Sequence, residues 1–367
     1  MHKTTINHMN KYRISYIDFG AGIMILWMIL GHAFSSSWGM QLFGLWDVTD
    51  ISLLPQGPHY YINKEGKVAF HSLWAICPYL HFFMPWFFYK SGQFFSKRSI
   101  ADEWKKDWNK LIRQFLIWGF LGYLLYIGFS YFEGEFTLRQ LAYRPLRVFF
   151  LEGFIPLNTP IWFLFTLFGV RQIANIVLPK QDSKLFWLQC IAIILFGYLV
   201  SYAAYRLDPR LLPQWVANGA AGLAFFTMGY SLHKYETKLW LIIPCFVGFL
   251  ACCIWGFPVV GMKSNTLETG IYLLNMPACL SGIVLFNVLS RLIAKYLPMV
   301  SRPFEYVGIY AMIIYVSHGL LYISITKILS DFELTSLMPY SLWLILGAYI
   351  IFLPILCVLK NRFSRMK

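Results

Sequence analysis

The chain has 367 residues, of which 58% are hydrophobic, 19% aromatic and only 13% charged; its mean hydropathy is +0.56 and its net charge +14. Soluble domains carry about 25% charged residues, so this composition excludes an ordinary soluble globular protein. The surplus of Lys and Arg points to membrane-flanking loops rather than to nucleic acid, because polytopic proteins concentrate cations on the cytoplasmic side.

The apolar pattern predicts an all-α, polytopic transmembrane helix bundle of about ten spans, near 14–36, 70–95, 111–132, 160–178, 185–206, 215–233, 238–260, 268–292, 305–329 and 337–360. A single membrane domain over 1–367 is the simplest organisation. Most of the 31 Lys and Arg fall at span ends on the same side as both termini, which predicts cytoplasmic N- and C-termini. Arg139, Arg144 and Arg147 run against that bias.

The first span, Arg13 to Phe34, carries Asp18 near its start and His32 near its end. The two lie fourteen positions apart, about 40° short of four full turns, so they share one face about 21 Å apart. A His within an apolar span is costly unless it has a partner or a task. It can act as a general base toward a hydroxyl or as interhelical glue.

Residues 37–69 are expected to form a long outer loop, with Trp38, Trp46, His59, Tyr60 and Tyr61 stacking on a sugar or forming an interfacial aromatic belt. Residues 97–110 are amphipathic and basic, and are expected along the inner membrane surface. There Lys97, Arg98, Lys105, Lys106, Lys110 and Arg113 suit a phosphate-bearing ligand or a plain positive-inside loop. Asn158, Thr159, Pro160 and Trp162 open the fourth span, where Pro is compatible with a helix start. His318 sits in the ninth span, and His81 in the second. Glu268 and Glu305 fall at span ends. The seven Cys show no metal-type spacing and are expected to be free thiols. There is no GxSxG, P-loop, HExxH or dinucleotide fingerprint, and no His has an Asp four or five positions after it.

Four segments in chain order resemble the acyltransferase-3 family of integral membrane O-acyltransferases, in the branch of fucose 4-O-acetylases and surface-polysaccharide acetylases. They are YIDFGAGIMILWMILGH (Tyr16 to His32), MPWFFYKSGQFF (Met84 to Phe95), NTPIWFLFTLF (Asn158 to Phe168) and VGIYAMIIYVSH (Val307 to His318). The resemblance implies a multi-pass protein of the bacterial cytoplasmic (inner) membrane. It implies transfer of an acyl group, usually acetyl, from cytoplasmic acyl-CoA to a hydroxyl of a sugar, glycolipid or surface polysaccharide, with no metal and no nucleic acid partner. His32 matches the family's catalytic His, with Asp18 on the same polar stripe. His318 and Trp162 are expected to line the path of the substrate, and Lys97, Arg98, Lys106 and Arg113 to bind acetyl-CoA phosphates. The Ser91-Gly92 turn is expected to be structural, and an oligomer is compatible with all of this.

The chain departs from the family pattern at three places. Ala21 stands eleven residues before His32, where Lys or Arg is usual; Phe83 precedes the MPWFF segment, with His81 displaced by two; and Ala311 stands where Ser is common. Two other readings remain open: a transporter or flippase that moves a glycan, lipid or acid without making a bond, and an assembly subunit of a surface-glycan pathway.

Overall fold

A computed structural model describes residues 15–34, 61–62, 68–69, 80, 82–134, 136–206, 212–254, 272–332, 345 and 347–349. Within helices, the side chains of residues 30–34, 204–206, 272–275 and 330–331 lie outside the description. Among the described residues the helices are joined by turns and loops, with an isolated bridge between Ile155 and Asn158 and a two-residue ladder in which Tyr61–Ile62 (β1) pairs antiparallel with Val68–Ala69 (β2). The remainder of the expected outer loop, His81, Glu268 and almost all of the tenth span lie outside the described residues.

The helices are α1 Ser15–Phe34, α2 Phe83–Gln93, α3 Ile100–Asp107, α4 Arg113–Phe132, α5 Arg144–Glu152, α6 Trp162–Val177, α7 Phe186–Arg206, α8 Gln214–Leu232, α9 Leu239–Ile254, α10 Tyr272–Tyr296, α11 Pro298–Ile309 and α12 Ala311–Asp331. Among the described residues, five helical stretches are long and apolar enough to cross a membrane: Ile100–Phe132, Thr159–Val177, Phe186–Ala203, Met276–Tyr296 and Ala311–Leu329. Two shorter apolar ones are Ser15–Ile29 and Leu239–Ile254.

The expected spans differ from the observed helices in three places, each for a physical reason. First, the basic segment runs on into the third span as one helical stretch, Ile100–Phe132. The Ser99 hydroxyl accepts from the Asp102 backbone N–H at 3.1 Å and starts α3. A π-helical turn, Trp108–Ile112, then carries the chain into α4, and no Gly or Pro interrupts it before Gly119. Second, the ninth span is divided. At Tyr310 the N–H bonds to the Val307 carbonyl at 3.0 Å, closing a tighter turn that re-aims α12 relative to α11. Third, the described part of the second span is the eleven-residue α2, with Pro85 in its first turn.

The helix α8 is buried almost all round from Ala221 to Ser231, and packs on α2, α6 and α7. Its polar Asn218, Thr227 and Ser231 are buried too, which lowers its hydropathy although it sits at the centre. The Thr227 and Ser231 hydroxyls donate to carbonyls four residues back at 2.8 Å, so burial leaves no donor unmet there. The outer faces are the opposite. Leu188, Ile191, Leu195 and Leu199 on α7, and Ile243, Phe246, Val247 and Leu250 on α9, are exposed at helical spacing. Apolar stripes on this scale are the surface a bilayer covers. This is the architecture of a multi-pass membrane protein.

Among the described residues, two helix pairs cross at reciprocal pairs of glycines. A Cβ added at Gly92 would overlap the Phe226 carbonyl, and one at Gly229 would overlap that of Tyr89, so α2 and α8 meet at a reciprocal pair of glycines. Gly22 and Gly308 bring α1 and α11 together in the same way, against the Phe304 and Asp18 carbonyls. Small residues permit such approach in membranes, where van der Waals contact drives helix association. Gly92 has a structural task, but Ser91 and Gly92 lie within α2 and not in the turn expected there. We predict that Gly92→Ala and Gly308→Ala each lower stability by about 1–3 kcal/mol. Gly169→Ala, with open space around it, should be neutral or stabilising by up to about 1 kcal/mol. Thermal unfolding of the purified variants in detergent separates the two outcomes.

Candidate functional site

The loop between α5 and α6 is drawn into the bundle rather than lying over it. It begins at Gly153 and includes Leu157, both with left-handed backbone at φ 78° and 64°. A left-handed Leu is uncommon and needs surrounding contacts to hold it. Those contacts follow at once. Asn158 is fully buried, and its Nδ2 donates to the Val316 carbonyl on α12 at 3.1 Å and to the Trp118 carbonyl on α4 at 3.3 Å. One amide thus ties three elements. The next residues form a 3-10 turn, Thr159–Ile161, that leads into α6.

His318 stands beside this turn. It is 2% exposed, and its Nδ1 lies 2.6 Å from the Tyr315 carbonyl. Its ring is 5.8 Å from that of Tyr315, whose hydroxyl donates to the Pro160 carbonyl. The following residue, Gly319, faces the Pro160 ring and the Asn158 amide so closely that a side chain there would collide with the proline. Ser317 on the same turn bonds to the Tyr349 hydroxyl at 3.0 Å. Trp162, 4% exposed, opens α6 one residue after the 3-10 turn. The structure therefore brings His318 and the Asn158–Trp162 segment together, 150 or so residues apart in sequence. Sequence reasoning kept Asn158 only as part of a helix start. Tyr315 was not singled out at all, although it lies three residues before His318, one helical turn away.

The first helix, α1, packs against α12, the helix that carries His318. His32 lies on α1, but its side chain is outside the described residues. Asp18 is half-buried where α1 crosses α11. Ala21 packs against the hydrophobic core.

The basic segment lies at another end of these helices, and acids organise it. Arg171 on α6 donates through Nε to both Asp107 oxygens, at 2.9 and 2.8 Å, and through Nη2 to Glu103. Its Nη1 reaches the Ser91 hydroxyl at 3.2 Å. Glu103 and Asp107 are buried and stand four residues apart on one face of α3. Lys106 and Arg98 approach Glu103 at 3.4 and 3.6 Å. Lys97 reaches the Ile176 carbonyl at 3.4 Å. Arg113, at the start of α4, is exposed. The missed signal was the i, i+4 acid pair within a basic run, matched by an Arg in an otherwise apolar helix. Among the described residues no three His, Cys, Asp or Glu stand close enough to share a metal ion. Cys190, Cys245, Cys252, Cys253 and Cys279 form no disulfide.

A family model described as "Acyltransferase domain" (Acyl_transf_3) matches residues 14–361. No curated protein and no solved structure matches the chain.

Two stability outcomes follow. Asn158→Leu removes a donor from two carbonyls and should cost about 1–3 kcal/mol, with the α5–α6 loop cut earlier in limited proteolysis. Arg171→Met leaves Glu103 and Asp107 buried without their main cation and should cost about 3–5 kcal/mol. Adding Glu103→Gln and Asp107→Asn to it should restore much of the loss in the same unfolding assay.

Proposed function

The chain belongs to the Acyl_transf_3 family of acyltransferase domains, and from that premise we propose that it is a membrane O-acyltransferase. It takes an acetyl group from cytoplasmic acyl-CoA and places it on a hydroxyl of a sugar, glycolipid or surface polysaccharide outside the bacterial inner membrane. Both termini lie in the cytoplasm.

His32 accepts the proton of the acceptor hydroxyl as its oxygen attacks the thioester carbonyl. The carbon–sulfur bond then breaks, and the thiol leaves with a proton, so that an ester and free CoA are the products. Histidine is the side chain most often used for such a proton transfer. His318 and Trp162 bind and orient the substrate beside it. Asp18 continues the polar stripe of α1 toward the donor side, where Lys97, Arg98, Lys106 and Arg113 meet the CoA phosphates.

The observation that carries this reading is the buried His318 held against the Asn158–Trp162 segment, on a helix that packs against the one bearing His32. Two of the four family-like segments thereby meet around an imidazole, and a third adjoins them. A polar side chain buried in a membrane bundle is expensive to keep without a use. The transporter reading lacks a comparable observation.

Membranes containing the protein, given labelled acetyl-CoA and a glycan acceptor, should transfer label and release CoA. His32→Ala should lower the rate by about 10²–10⁴-fold, the contribution of a positioned general base. His318→Gln should lower it less and chiefly raise KM for the acceptor. Equal transfer by wild type and His32→Ala would refute the assignment of the base.

A further inference from the structure

A second buried charge group, next to the Arg171 cluster but separate from it, joins α1, α2 and α10 to the segment after α8. At its centre is Glu236, fully buried. Its Oε1 accepts from Asn287 Nδ2 at 2.9 Å, and its Oε2 from Arg291 Nη2 at 2.8 Å. Asn287 is fixed in turn by the Trp86 indole N–H at 2.9 Å. Lys90, 6% exposed, brings its ammonium to 3.8 Å from Glu236 and donates to Gln93 at 2.8 Å. Gln93 then donates to the Tyr16 hydroxyl at 3.2 Å. The Tyr16 ring is the floor: the Arg291 guanidinium lies 3.9 Å from its centroid and the Lys90 ammonium 5.2 Å.

The group is unbalanced in charge and in hydrogen bonding. Two cations share one carboxylate, and among the described residues no second acid reaches them. Lys90 and Arg291 offer eight N–H donors between them. Glu236 and Gln93 take few of these, and Arg291 Nε has no acceptor among the described residues. Buried charge that lacks a counter-charge is destabilising, and surplus donors on an Arg beside a Lys match the oxygens of a phosphate. The rigid Trp86–Asn287–Glu236 chain holds the cations in place without neutralising both. The opening is through Arg291, Gln93 and Tyr16, which are half-buried.

We infer that Lys90 and Arg291 form an anion-binding site that takes a phosphate group. In the acyl-transfer reading, on which this assignment of the ligand rests, the phosphate belongs to the acyl donor. It enters beside the start of α1, whose own residue 21 is an alanine.

The test uses the full-length protein in phosphatidylcholine nanodiscs, with sodium diphosphate as the probe and thermal unfolding as the readout. Diphosphate should raise the unfolding temperature of the wild type. Arg291→Gln, at the partly open side of the site, should raise the half-saturating concentration at least ten-fold, and Lys90→Gln similarly. Glu236→Gln should change the response in the opposite direction: lower stability without diphosphate, and tighter binding of it, because the cations lose their internal competitor. Equal responses of wild type, Lys90→Gln and Arg291→Gln, or weaker binding by Glu236→Gln, would overturn the site.

Acetyl-CoA and acetyl-pantetheine then identify the source of the phosphate. Competition with diphosphate by acetyl-CoA alone supports the donor. Competition instead by phosphatidylglycerol built into the nanodisc, with acetyl-CoA inert, keeps the anion site and overturns the donor assignment.

Discussion

Backbone contact between helices is the constraint on which the rest of this structure depends. In lipid, apolar side chains gain little by leaving the bilayer for each other, so the bundle needs a source of attraction other than the hydrophobic effect. Here it comes from close approach at Gly92 and Gly229 and at Gly22 and Gly308. The first pair fixes α2 on the central helix α8. It thereby sets where Lys90 and Ser91 stand relative to their partners. The second pair fixes α1 on α11, and the turn at Tyr310 then directs α12 back toward α1 and the Asn158 loop.

Polar chemistry is distributed unevenly on that frame. The His318 region is mostly uncharged: imidazole, amide, hydroxyls and backbone carbonyls bond to one another within a buried setting. The fixed charges gather around two buried carboxylate groups, one built on Glu103 and Asp107 and one on Glu236. Each group has more cations than acids around it. The separation leaves the charged groups of the described residues away from the His318 imidazole, whose ring nitrogen Nδ1 faces a backbone carbonyl.

Much of this was legible in the sequence, and the parts that were not have specific causes. Composition and apolar length identified a membrane bundle because lipid imposes both directly. The four family-like segments identified the class of protein. Hydropathy could not mark the break at Tyr310, since residues on both sides are equally apolar and the break is a backbone event. It also cut the Ile100–Phe132 helix in two, because charge content changes there while helix propensity does not. The basic segment was read by its sign alone. Its acids, Glu103 and Asp107, turned out to govern its packing through Arg171, a residue 64 positions further on. Asn158 looked like helix punctuation because its role lies wholly in what it touches. His32 was singled out by its cost in an apolar run. Such an argument names a residue but gives no partners for it.

The Arg171 arrangement has a consequence for how this protein can change over time. Glu103, Asp107 and Arg171 each lose more from a partner's replacement than from joint replacement of all three. Drift at any one of them passes through an intermediate with an unmatched buried charge, so selection acts on the three as a single inherited character. Lys106 and Arg98 at the rim are more exposed than Arg171, so replacing one of them leaves Glu103 with its main partner. Lineages of this fold should therefore keep the triad or lose it whole.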